Sequence, residues 1–280
     1  MARLNKLVAA ALLALIASQG VALALYWRDQ RFLASLMARI ANPSAPPSAQ
    51  ALQALAYLRD KPTQTNDSYF LVPLFRPLRA TPREVAELGG DCADRSRLMI
   101  VLLHSRNIQA SKWALYSSDM QPRHAVVEVD TEQGKMVIDP LFGLTYPMDQ
   151  GGYYGIEDLR QNPSLFQNHI TDLRARHERP GAEKLDWYPL NLYVYSYART
   201  INWDKSGAMR LAHRTLHAAI GDRVNQIRRP LWVEQPALMF VTGVAGLEGG
   251  VLILWCLAVW RQKRARKTAL RAQQSGIASA

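Results

Sequence analysis

Gly89-Gly90-Asp91-Cys92-Ala93-Asp94-Arg95-Ser96 runs directly into Arg97-Leu98-Met99-Ile100-Val101-Leu102-Leu103. The glycine pair stops whatever precedes it, Asp91 stands where a helix cap belongs, and the run from Leu98 is apolar on nearly every face. The expectation is a central helix from Cys92 to about residue 105, buried by sheet and other helices. Upstream, Thr81-Pro82-Arg83-Glu84 supplies a cap, a proline at the first helical position and a carboxylate in the first turn, so a short helix should end at Leu88. Downstream, residues 111–116 and 124–130 read as strands, and Thr131-Glu132-Gln133-Gly134 as a hairpin turn into a third at 135–138. A helix followed by consecutive antiparallel strands makes the fold class α+β.

Three residues in this frame carry chemistry. Cys92 falls in the first turn of the helix, His124 enters one strand, and Asp139, fixed by Pro140, leaves the next. A free thiol ionises near pH 8.5 or so, but a helix N-terminus or a neighbouring imidazole lowers that value, which makes a nucleophile with its base and orienter. Asp91 and Asp94 can cap the exposed helix N–H groups, yet their charge opposes a thiolate, so in a working site they must point away from the sulfur. Taken singly, each residue has an ordinary role: a cysteine packed at a helix start, a core or surface histidine, an Asp-Pro turn. Their order, with the glycine pair before Cys92 and a hairpin between His124 and Asp139, points to the catalytic alternative.

Gly90-Asp91-Cys92-Ala93-Asp94-Arg95-Ser96, His124-Ala125-Val126-Val127-Glu128-Val129 and Ile138-Asp139-Pro140-Leu141-Phe142-Gly143 together resemble the transglutaminase-like superfamily. The resemblance covers roughly residues 69–146. It implies a papain-like core, in which the helix that begins with the cysteine packs on an antiparallel sheet, and a triad that needs no cofactor. Cys92 is then the nucleophile, His124 the base and later the acid, and Asp139 the orienter. Ala93 stands where the crosslinking enzymes carry an aromatic residue, and no calcium site is evident. The implied activity is therefore that of a peptidase, amidase or acyl transferase, acting on a peptide or protein amide, or an ester, through a thioacyl intermediate. The backbone N–H of Cys92 is one candidate oxyanion donor, and Tyr69 is a candidate for the second. The alternative is the same fold used as a non-catalytic binding module or scaffold of an envelope or polysaccharide-export assembly.

Flanking segments say where this core sits. Residues 7–26 carry no charge and are almost entirely Ala, Leu, Val and Ile, enough at about 1.5 Å per residue to cross a bilayer core of about 30 Å. Tyr26 and Trp27 continue the run without a polar region, so an uncleaved anchor over 1–27 is expected rather than a signal peptide. A second span, 236–260, carries one charge, Glu248, and leads into a basic tail, 261–280. The formal net charge is +11, of which the first six residues carry +2 and the tail +6; Glu248 subtracts one, and the middle holds +4. That division demotes nucleic acid as a partner. Basic flanks are retained in the cytoplasm, so both termini should be cytoplasmic and the central domain periplasmic, in a bacterial inner membrane. Cys92 and Cys256 then lie in different compartments and cannot pair.

Between the spans, 28–68 reads as a helical linker region broken at Asn42-Pro43, 69–150 as the catalytic core, and 151–235 as a helical and aromatic extension. The extension should hold a helix over 156–176 interrupted near Pro163, an aromatic arm over 187–197, and an amphipathic helix over 206–228. His213 and His217, four residues apart, read as a polar helix face, and Arg174, Arg176 and Arg179 as a solvated one. Within the second span, Glu248 costs several kcal/mol unless neutralised or paired. Gly246 and Gly250 have the spacing of close helix packing. Either Glu248 is protonated and tolerated by the bilayer, or the helix packs on a partner: the first span, another copy of the chain, or a different membrane protein.

Overall fold

A computed structural model describes residues 2–62, 70, 78–176, 188 and 194–277, and the chain falls into two units, 28–236 and 1–27 with 237–280. No glycine or proline interrupts residues 21–42, and α1 (Ala2–Ile40) runs as one helix, where the sequence suggested a span and then a separate helix. Its last turns serve the unit 28–236. Leu33, Leu36 and Met37 share a core cluster with Ala51, Leu55 and Leu58 of α2 (Pro47–Arg59). Residues read as a linker region thus contribute two helices to the core.

Next comes α3 (Pro82–Leu88), whose ends follow the local chemistry. Thr81 Oγ1 accepts from Glu84 N at 3.3 Å, and Glu84 Oε2 accepts from Thr81 N at 2.7 Å, a reciprocal cap. Gly89, at φ +85°, ends the helix. In α4 (Cys92–His104), every residue from Leu98 to Leu103 is buried. Burying one such side chain stabilises by about 1.5–3 kcal/mol, so this helix anchors the unit.

Five antiparallel strands form one sheet in the order β4-β3-β2-β1-β5: β1 (Ala110–Tyr116), β2 (Pro122–Thr131), β3 (Gly134–Asp139), β4 (Leu144–Thr145) and β5 (Val194–Arg199). The hairpin closes at Thr131↔Gly134, and Val127 lies opposite Ile138. Alternation along β2 divides the core. Val127 and Val129 face α4 and α2, while Val126 joins Trp113, Leu115 and Val137 on the other side. That second face is covered by α5 (Ile156–Gln161) and α6 (Ser164–Arg176), through Ile156, Leu159, Phe166 and Ile170. Neither β4 nor β5 was anticipated. Part of the expected aromatic arm is β5, whereas 187 and 189–193 lie outside the described residues.

One helix over 206–228 is also corrected. Gly221, at φ +61°, stops α7 (Gly207–Ile220), and a 3-10 stretch, Gly221–Gln226, turns the chain away. Thr200 then ties this return segment to the end of β5, donating from Oγ1 to the carbonyl of Ile227 at 2.5 Å.

In the other unit, α8 (Pro236–Ile277) continues the second apolar segment into the basic tail. Residues 5–40 and 236–264 are long and apolar enough to cross a membrane, each holding an 18-residue stretch of mean hydropathy 2.2 and 1.9 respectively. Leu13, Ile16, Ile253 and Leu254 are exposed, as suits residues that would face lipid. Glu248 meets the first of these helices, accepting from Gln19 Nε2 at 2.9 Å. Gly246 and Gly250 do not form that contact: a Cβ added at either meets nothing within 4 Å.

Candidate active site

Both glycines before Cys92 are required by close approach. A Cβ on Gly89 would lie 2.2 Å from the carbonyl oxygen of Pro62, and one on Gly90 would lie 2.7 Å from Asp94 Cβ. Gly89 lets the start of α4 press against the loop after α2, and Gly90 makes room for the Asp94 side chain. Asp91 caps the helix, its Oδ1 accepting from Ala93 N and Asp94 N at 2.9 Å each. The N–H of Cys92, at the first helical position, is not one of the two groups this cap takes. Asp94 is not a cap, contrary to expectation; it is fully buried in ion pairs. Arg79 reaches both carboxylates, Asp91 at 3.0 Å and Asp94 at 3.1 Å, and Arg97 stands 3.8 Å from Asp94. Burial opposes the charge on Asp91, but the cap N–H groups and Arg79 outweigh it and hold its pKa low. Burial raises the pKa of Asp94, partly countered by Arg97, with the charge of Asp91 adding to the rise. Arg79 thus engages both acids next to the thiol in ion pairs.

His124 Nε2 lies 2.6 Å from Asp139 Oδ2, with both side chains buried. Asp139 is set in turn by its own loop, because Oδ1 accepts from Leu141 N at 3.0 Å and Phe142 N at 3.1 Å. Phe142 and Tyr188 stand edge-on to the imidazole at 5.6 and 6.3 Å between ring centres, walls that exclude water. Burial disfavours the imidazolium, yet the charge and hydrogen bond of Asp139, followed by the hydrogen bond and charge of Cys92, overcome it and push the His124 pKa up to about 10. Asp139 is thus paired with His124, and His124 and Cys92 line one cleft.

A raised folded-state value means that protonating His124 stabilises the fold. This contribution is fully present below the ordinary value of 6.5 and is lost as pH rises through about 10. The thermal midpoint of the chain in detergent should exceed that of an Asp139→Asn variant at pH 7 and converge toward it above pH 10. A constant difference across that range would show that the pair does not titrate this way.

A cleft of about 230 Å³ opens beside Cys92 and His124, and its walls include Lys112, Arg123, Arg229, Thr200 and Asn202. Sequence reasoning missed these residues. Lys112 lies in β1 and donates to Glu234 at 3.1 Å, which also pairs with Arg229 at 3.1 Å. Glu234 is almost fully buried; burial opposes its charge, but Lys112 and Arg229 hold its pKa low. Burial lowers the Lys112 pKa to about 8, with Glu234 resisting. Alternation with Trp113 and Leu115 put Lys112 on the strand's other side, so nothing in the sequence marked it.

Other candidates separate from this site. His213 and His217 contact Asn225 and Asp222 at 3.3 Å each, and the described residues hold no cluster of three or more metal-ligating side chains. Arg174 is bound to the carbonyl of Tyr188 at 2.6 Å rather than simply solvated, whereas Arg176 pairs with Asp172 at 2.7 Å on the surface. Arg179 and Tyr69 lie outside the described residues. Both cysteines are free thiols. No protein-family model, curated protein or solved structure matches this chain.

Proposed function

We propose that the chain is a membrane-anchored cysteine hydrolase or acyl transferase with a papain-like core of transglutaminase type, working on an amide or ester in the bacterial periplasm. The observation that carries this reading is the 2.6 Å bond from His124 Nε2 to Asp139, which commits one ring nitrogen to the orienter and leaves Nδ1 for the thiol. Cys92 lines the same cleft as His124 and adds to the rise in its pKa, which supports the same assignment.

The chemistry follows from that arrangement. His124 takes the Cys92 proton, and the thiolate adds to the carbonyl carbon, with the Cys92 N–H available to the developing oxyanion. The C–N or C–O bond breaks as His124 returns the proton to the leaving amine or alkoxide, and a thioester remains on Cys92. Water or an amine then attacks the thioester, giving its proton to His124, and the C–S bond breaks to restore the thiolate. Water makes the enzyme a hydrolase and an amine makes it a transferase. The basic tail places both termini in the cytoplasm in this reading.

Acetylation by p-nitrophenyl acetate tests it. With the full chain in detergent at neutral pH, mass mapping after acid quench should find the acetyl group on Cys92 and not on Cys256. Equal acetylation of both thiols, or of neither, would leave a fold used for binding.

A further inference from the structure

We infer that the cleft beside Cys92 selects an acyl donor carrying a carboxylate next to the bond that is broken. This rests on the reading of Cys92 as the nucleophile. Among the described residues that line the cleft there is no Asp or Glu, whereas three cationic side chains, Lys112, Arg123 and Arg229, are present. The nearby carboxylates do not cancel that charge. Glu234 is buried behind Lys112 and Arg229, one negative charge shared between two cations, and Arg97 is drawn to it as well. Arg123 pairs with Asp119 at 2.9 Å on the exposed rim, where water screens the pair. Asp91 and Asp94, the acids closest to Cys92 in sequence, are held by Arg79.

The described lining of the cleft therefore presents surplus positive charge. Lys112 has three N–H donors and gives one hydrogen bond to Glu234, so it can turn another toward a ligand. Thr200 and Asn202 add neutral polar groups to the same cleft. A neutral substrate would leave Lys112 and Arg229 with the single charge of Glu234 between them, whereas a carboxylate seated against both would balance the wall.

Paired alkylation reads this directly, with iodoacetate as the anionic probe and iodoacetamide as its neutral counterpart, both on the full chain in detergent. The iodoacetate-to-iodoacetamide rate ratio at Cys92 should exceed that of a simple thiol. His124 alone attracts an anion, so the cleft's share is measured by variants. Arg123→Gln on the rim and Lys112→Met in the wall should each lower the ratio about five-fold, as expected for one partly screened charge. The Arg123→Gln arm stands if Lys112→Met fails to fold. A ratio unmoved by either change, with Cys92 still selectively modified by iodoacetamide, would overturn the inference; failure of both reagents to prefer Cys92 would remove the nucleophile reading with it. Protection from iodoacetamide then locates the carboxylate. N-acetylglutamate 1-amide carries it on the side chain and N-acetylglutamine at the chain terminus, and protection by either supports the inference. Equal protection by neutral N-acetylglutamine amide counts against it.

Discussion

Asp139→Asn will slow thioacyl formation by roughly a thousand- to ten-thousand-fold without unfolding the domain. The size of the effect follows from how the loop holds this side chain. Asp139 Oδ1 accepts from the N–H groups of Leu141 and Phe142, while Oδ2 faces His124 Nε2. An asparagine keeps the two loop bonds only by placing its oxygen where Oδ1 lies. Its NH₂ must then face the imidazole, and a donor opposite Nε2 forces the neutral ring to carry its proton on Nδ1. That is the nitrogen which has to accept the proton of Cys92, so the base is lost. The imidazolium also loses the negative charge that does most to raise its pKa, and the alkaline limb near pH 10 moves down. Rapid-quench measurement of acetyl-Cys92 across pH separates the two consequences. An unchanged rate with an unchanged alkaline limb would sink the triad and favour a binding module.

What could be read in advance, and what could not, divides by the distance over which information travels. Thr81-Pro82 and the apolar run after Cys92 act within one or two turns, and α3 and α4 begin where those residues say. The hairpin from β2 to β3 is equally local, closing at Thr131 and Gly134. The order Cys92, His124, Asp139 was legible because each residue sits at the end of such an element. By contrast, β5 pairs with β1 from about 80 residues away, and its short edge strand has no pattern that distinguishes it from an aromatic loop. The cleft is harder still. Lys112 and Glu234 are 122 residues apart, and Gln19 and Glu248 are 229 apart, so neither partner marks the other in the sequence. The end of α7 depends on one positive φ at Gly221, a conformation that the surrounding amphipathic pattern gave no reason to expect.

Arg95 is the same kind of residue, and its replacement should have the largest effect on stability. Its guanidinium is buried, and among the described residues its hydrogen bonds go to backbone carbonyls: Nε donates to the carbonyl of Gly90 at 2.9 Å, Nη1 to Leu58 at 2.6 Å and Pro140 at 3.4 Å, and Nη2 to Lys61 and Pro62 at 2.6 Å each. One side chain thus joins the end of α2, the glycine before the nucleophile and the proline after the orienter. Arg95→Ala removes all of these donors; the carbonyl of Leu58 keeps the N–H of Lys61 at 3.2 Å, but the buried carbonyl of Gly90 and the others lose the guanidinium, which should cost at least about 3 kcal/mol. Native stabilities are typically about 5–15 kcal/mol, so such a loss would sharply lower the thermal midpoint in detergent. Arg95→Lys separates charge from geometry. A lysine keeps the charge, but its single ammonium cannot span carbonyls that the planar guanidinium meets from three nitrogens. It should therefore recover only part of the midpoint, and acetylation of Cys92 should stay slow because Gly90 and Pro140 are no longer fixed to the same group. Full recovery of both by lysine would mean that the buried charge, and not the five-point clamp, supports the site.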